Sequence, residues 1–187
     1  MYGVKSRKEL ISEVSNALQM HFDEGCFYLS LTEQEVGLNA PAAVVGEDCV
    51  WPHVGDEVIR IDPLESRESF NSMVDFADKQ PPKIADKLYQ ALNGGRPFAR
   101  FRAAVDILDL LEEWYAFKNK WFEDRAEEWL HEHSVDFVDG KIVAKGKTRI
   151  FDGEDREDWE YDEDWDEDED WDEDEDSKNE DESDDKQ

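Results

Sequence analysis

The side chains with most chemical capacity in this sequence are four histidines, two cysteines and a knot of arginines among phenylalanines. His131 and His133 stand two residues apart, which places them on different faces of a helix and argues against a helical ligand pair. Glu128 and His131 have the Glu-x-x-His spacing of carboxylate-bridged di-metal bundles. Such sites need a second copy of the motif and further glutamates, and a single copy is present. His21 and His53 have no ligand-spaced neighbours, so no metal and no cofactor is expected. Cys26 and Cys49 occupy apolar, strand-like contexts. A disulfide can be drawn between them, but two reduced, buried thiols fit those contexts better. Arg96, Arg100 and Arg102 interleave with Phe98 and Phe101, a pattern that suits an anion or ligand contact. The plainer account is helix-surface arginines beside core phenylalanines. Gly94-Gly95 precedes a helix start and either offers free N–H groups to an anion or simply ends the helix before it. No Gly-x-Ser-x-Gly, no phosphate-cradling glycine loop and no supported Cys/His pair occurs, so no catalytic residue can be named.

The C-terminal end carries chemistry of another kind. Trp159, Trp165 and Trp171 recur every six residues within runs of Asp and Glu. Like charges at this density repel, which predicts a disordered, extended segment. An extended chain advances roughly 3.3–3.6 Å per residue, so its carboxylates are spaced much like the phosphates of one DNA strand, about 3.4 Å apart. The tryptophans add cation–π anchors for arginine. The segment therefore has the makings of a polyanion mimic that binds basic proteins, or the body's own arginines and the Lys141, Lys145, Lys147 and Arg149 stretch. The competing account is a terminus that only keeps the chain soluble.

Charge is strongly segmental. Up to Phe151 there are 18 Lys+Arg against 27 Asp+Glu, a net of −9, and from Asp152 onward 3 against 24, a net of −21, within a chain of 187 residues and net charge −30. A body of this size can bury roughly 68–70% of its unfolded surface, whereas the acidic segment offers almost no aliphatic side chains to offset its ordering entropy. A globular domain over 1–151 and an acidic tail over 152–187 are expected. The balance argues against nucleic acid or an anionic membrane as a partner of the intact chain and towards cationic partners. The first seven residues lack the apolar stretch of a signal peptide, and no apolar run approaches the ~20 residues of a membrane-spanning helix, so a cytoplasmic location is expected.

The elements that must position these groups read as follows. Ser6 to Met20 is a helix, with Leu10, Val14, Ala17 and Leu18 at helical spacing and Ser6 with Glu9 as a capping box. Phe27 to Leu31 is a strand, turned by Thr32 to Glu35, with Val36 beginning a return; Gly37 to Pro52 is left unassigned. Val58 to Ile61 is a strand stopped at Pro63. Helices follow from Ser66 to about Lys79, from Pro82 to Leu92, and from Pro97, with Phe98, Phe101, Val105, Leu108 and Leu111 facing inward. A last helix turns Tyr115, Phe122, Ala126 and Trp129 to one side. Asp139-Gly140 joins two short strands as a hairpin. The fold class is α+β: a small antiparallel sheet packed against four to five helices, with a disordered acidic tail.

Gly94-Gly95-Arg96-Pro97-Phe98-Ala99-Arg100-Phe101, then Trp114-Tyr115-Ala116-Phe117 and Trp129-Leu130, resemble uncharacterised protein family 0158, a bacterial family of unknown function. The resemblance runs from about Leu10 to Trp129. It departs from the pattern at Val36-Gly37, where a more regular hairpin is expected, and in the long tail. It implies a fold and supplies no catalytic residues to carry over.

Three functions follow as expectations. The first is a non-enzymatic interaction module whose acidic tail, through Trp159, Trp165 and Trp171, engages basic proteins or regulates the body. The second is a small-ligand or enzyme domain with its site near Arg96–Arg102 and Trp114–Phe117. The third is a nucleic-acid-binding body masked by the tail.

Overall fold

Ser6 begins the fold as a cap: its Oγ accepts the Glu9 N–H at 3.1 Å and starts α1 (Arg7–Gln19). The coordinates are a computed structural model that describes residues 6–21, 25–40 and 52–153. α1 turns Leu10, Val14, Ala17 and Leu18 inward, as their spacing predicts. β1 (Cys26–Ser30) and β2 (Glu35–Asn39) form a regular antiparallel hairpin from Cys26↔Asn39 to Ser30↔Glu35. The irregularity expected at Val36-Gly37 is therefore absent, because Val36 and Gly37 pair squarely with Leu29 and Tyr28. The unassigned segment resolves in part: Gly37 to Asn39 completes β2, while residues 41–51, with Cys49, lie outside the described residues. β3 (Glu57–Ile61) pairs with the other side of β1.

Four helices follow: α2 (Ser66–Asp78), α3 (Pro82–Leu92), α4 (Pro97–Ile107) and α5 (Leu111–Glu132). Proline at the first helical position starts α3 and α4, where its missing N–H costs nothing. α2 begins at Ser66, as expected, and is capped by a reciprocal box between Glu65 and Glu68. β4 (Val135–Val138) and β5 (Lys141–Ala144) make the hairpin expected at Asp139-Gly140, whose φ angles of 51° and 79° are those of a type I′ turn. β6 (Arg149–Ile150) returns to the edge of β3, giving a four-stranded antiparallel sheet in the order β2-β1-β3-β6. The fold is α+β, with five helices among the described residues. No helix in them is long and apolar enough to cross a membrane.

Gln34 ties the two sheets together. Its amide Nε2 donates to the Leu31 and Ile142 carbonyls at 2.6 and 3.0 Å, and its Oε1 accepts the Ile142 N–H at 2.5 Å. The side chain thus behaves as one more strand residue beside β5. Gln34→Ala leaves both backbone groups of buried Ile142 without these partners, and is expected to cost about 1–3 kcal/mol, read as a fall in the urea midpoint at unchanged slope.

Apolar side chains gather in two cores. The first lies between α1, the sheet and the C-terminal half of α5, and includes Leu10, Leu29, Ile61, Phe122 and Leu130. The second lies among α2, α3, α4 and the N-terminal end of α5, and includes Phe76, Leu88, Phe101, Val105 and Trp114. Two inward assignments are corrected here. Phe98 is 47% and Tyr115 44% exposed, and Trp114 takes the buried place that helical spacing gave to Tyr115. The reason lies in α5 itself. Its buried residues Trp114, Phe122, Ala126 and Leu130 fall on an i+4 ridge, and each such step rotates about 40° around the helix. A 22-residue helix that serves two cores buries different faces at its two ends, and no single stripe describes it.

Glu13 on α1 is a cost the fold carries. Burial raises its pKa from the usual 4.5, the Val36 backbone N–H opposes that shift, and Glu9 and Glu35 add to it. One carboxylate oxygen is buried without a partner. Because the folded pKa is the higher one, the penalty is fully present at neutral pH and is relieved as pH falls from the folded value towards 4.5. Glu13→Gln is expected to be the more stable protein at pH 7 by at most about 1 kcal/mol, since solvent screens a half-buried charge. Denaturant midpoints taken from pH 7 down to pH 4.5 should converge; parallel curves would refute the assignment.

Candidate functional site

The predicted arginines part company in the structure. Arg100 lies across the C-terminal end of α3, where its guanidinium donates to the Asn93 carbonyl at 2.6 Å and to the Gln90 carbonyl at 2.9 Å. Those are carbonyls that a helix end leaves unpaired, so Arg100 acts as a cap. Gly94, at φ 106°, makes room for it: a Cβ there would stand 2.7 Å from Arg100 Nη1. The Gly94-Gly95 pair thus sits at the end of one helix. Arg96 is the N-cap of α4, in the left-handed region at φ 53°. Arg102, two residues beyond Arg100, reaches a different place.

That place is a cleft of about 300 Å³ where the end of α1, α2, α4 and α5 meet. Five of its lining side chains are aromatic: Phe98, Phe101, Trp114, Tyr115 and Phe122. Phe101 and Trp114 meet edge to face at 5.0 Å, and Phe76 packs behind Trp114 at 5.2 Å, so the floor is held rigid by its neighbours. Phe98 and Tyr115, the two aromatics that sequence placed inside, stand half-exposed on this cleft instead. α2 contributes Ser69, Ser72 and Met73, with the Ser72 hydroxyl donating to the Ser69 carbonyl at 2.7 Å.

Among the described residues two cations line the cleft, Arg102 and Lys118, and no acidic residue does. Lys118 stands on the i+4 ridge of α5, four residues after Trp114 and four before Phe122, both of them buried. Its ammonium lies 5.5 Å from the centre of the Phe122 ring, and burial lowers its pKa from the ordinary lysine value. Lys120, two residues along, is exposed and paired with Asp124 at 2.7 Å. Lys118 has no ion-pair partner among the described residues. Sequence reasoning missed it, along with Gln19, Ser69 and Ser72, and a signal for Lys118 was available. A charged residue breaks an otherwise apolar 114-122-126-130 ridge.

The remaining candidates are placed elsewhere. Glu128 pairs with Arg125 at 2.8 Å, and the His133 ring stacks on Trp129 with its Nδ1 2.9 Å from the Trp129 carbonyl oxygen. Among the described residues, no group of three or more His, Cys, Asp or Glu side chains is placed to share a metal ion. Lys141, Lys145, Lys147 and Arg149 are exposed, along and after β5. Phe117 belongs to the second core, under the Lys79 ammonium at 4.4 Å. Trp159, Trp165 and Trp171 lie outside the described residues.

The sequence pattern of a family described as "Uncharacterised protein family (UPF0158)" matches residues 10–150. A UPF0158 protein of Pseudomonas aeruginosa is 28% identical over 111 residues, covering 58% of this chain and 72% of that protein. No solved structure matches the chain.

Proposed function

Because the chain belongs to the uncharacterised protein family UPF0158, whose description names no activity, we propose a function from the cleft itself: the body is a small-ligand-binding domain with its site among α1, α2, α4 and α5. The observation that supports it is Lys118. A ridge whose other members are a tryptophan, a phenylalanine, an alanine and a leucine has its one charged side chain facing an open, aromatic-lined cavity. Half-burying a lysine without a carboxylate beside it costs stability, and a residue tolerated at such a cost at a cavity wall is a functional-site candidate. The volume sits at the low end of the roughly 300–1,000 Å³ of small-molecule sites. Among the described residues no nucleophile with an adjacent base lines the cleft, and binding is what is proposed.

The test is a thermal-shift screen of small-metabolite classes on the full chain and on Ser69→Phe, which fills the cleft. At least one class is expected to raise the wild-type melting temperature, as a ligand that binds only the folded state must, and to leave the filled variant unmoved. A compound that stabilises both alike acts elsewhere, and a screen without any stabiliser refutes the proposal.

A second proposal rests on the charge segregation of the sequence. The −21 of residues 152–187, with Trp159, Trp165 and Trp171 at six-residue spacing, suits capture of basic proteins through exposed charge. Phe151 is buried, and its backbone is bonded to Gly55 and Asp56 at 2.8 Å each, so the comparison chain is ended after Gly153 to keep those bonds. If the full and shortened chains retain the same basic proteins with the same salt dependence, the tail plays no part.

A further inference from the structure

We propose that the cleft takes a monoanionic small molecule built on an aromatic ring, an aryl or arylalkyl carboxylate, with its ring on Phe98 and Tyr115 and its carboxylate on Lys118 and Arg102. The inference rests on the ligand-site proposal above and names the class of ligand. Charge is the first ground. The body as a whole carries an excess of acidic residues, 27 against 18, yet among the described residues the cleft wall holds two cations and no carboxylate. A neutral or cationic ligand would leave both lining cations without compensation, whereas a carboxylate can serve both.

The second ground is the state of Lys118. Burial lowers its pKa, and desolvation is the sole cause of that shift. An ammonium held this way, 5.5 Å from the Phe122 ring centre and without an ion pair among the described residues, gains most from an anion brought into the same low-dielectric space. The neighbouring lysine already has that gain, from Asp124. In the cleft the corresponding partner is left for the ligand to supply.

Shape is the third ground. Phe98 and Tyr115 are 47% and 44% exposed, where helical spacing alone would have buried both. Exposed aromatic side chains from two helices lining one cavity suit a flat ring, and an offset or edge-to-face pair adds to simple burial. A cleft of about 300 Å³ holds one or two fused rings and a short acid arm, and is too small for a nucleotide with its phosphates as well. A dianionic phosphate is disfavoured by desolvation: its second charge costs more to bring out of water against a mostly aromatic wall.

The experiment is an NMR titration of the full chain, read at the Trp114 indole N–H and the Lys118 side-chain signals. The probes are 2-naphthoate, its neutral isostere 2-naphthamide, and 2-naphthyl phosphate. Naphthoate is expected to shift the Trp114 signal and to bind at least about tenfold more tightly than the amide, the difference of one charge-assisted contact. Lys118→Met, close in length and apolar, should bring the two affinities together. Lys118→Arg should restore the preference for the acid, and Lys120→Met should leave it as it was. Equal binding of naphthoate and naphthamide by the wild type overturns the anion assignment while leaving a ligand site standing. Tighter binding of the phosphate overturns the choice of a monoanion. No probe moving Trp114 overturns this inference and counts against the ligand-site proposal, which the wider screen then decides.

Discussion

Replacing Trp114 by alanine is expected to lower the unfolding free energy by about 3–5 kcal/mol, which is the range for truncating a large buried aromatic. Trp114 is 8% exposed and touches Phe76, Phe101 and Phe117 at ring-centre distances of 5.2, 5.0 and 6.1 Å. Its removal opens a void between α2, α4 and α5 that three rings cannot close without leaving their preferred angles. For a body of this length the loss corresponds to a fall of roughly 6–20 °C in melting temperature. Trp121 is the internal comparison. It lies on the same helix, is half-buried, and donates its indole N–H to Asp75 at 3.0 Å. Trp121→Ala should cost markedly less than Trp114→Ala. Equal losses in the two variants would mean that the aromatic cluster is not the centre of the second core.

The difference between those two tryptophans marks how far sequence could be followed. Proline at the first position of α3 and α4, the serine cap of α1 and the Asp-Gly turn of the second hairpin are local signals, and each stands where its local chemistry puts it. The assignments that slipped depend on what a segment packs against. Tyr115 matches a regular 3.6-residue stripe with Phe122 and Ala126, and would be buried if α5 faced one core. Because α5 faces two, its contact ridge winds around it and Trp114 is buried in place of Tyr115. Phe98 stands out for a related reason. It lies in the first turn of α4, beyond the reach of the second core, and forms part of a cavity wall.

The candidate site was legible by region and obscure by residue. Arginines among phenylalanines mark the N-terminal part of α4, and the cleft does open there. Yet the chemistry divides by a geometry that spacing does not encode. Two residues apart, Arg100 and Arg102 fall on different sides of α4, but spacing does not say that one turns back onto the carbonyls of α3 while the other turns to the cleft. Lys118 was hidden by its own charge. A lysine in a helix is read as solvated, and only its position between two buried aromatics on an i+4 ridge betrays the cavity beside it.

Leu130→Ala is expected to cost about 2–5 kcal/mol at the opposite end of the same helix. Leu130 is fully buried in the first core, together with Leu10, Val14 and Ile61. Its separation from Trp114 along α5 is about 24 Å at 1.5 Å per residue, and the two side chains belong to different clusters. Substitutions this far apart and without shared partners should add to within about 0.5 kcal/mol. Additivity holds in one measured transition only if the continuous helix makes the two cores melt together. Calorimetry of the single variants decides that point: one peak that moves in both supports the coupling, and two peaks, with each substitution moving only its own, refute it. The double variant is the more demanding case. Its summed loss of roughly 5–10 kcal/mol equals or exceeds the whole stability of many domains, so it is expected to be largely unfolded at 25 °C if α5 couples the cores. If the cores are independent, each should instead melt at its own single-variant temperature.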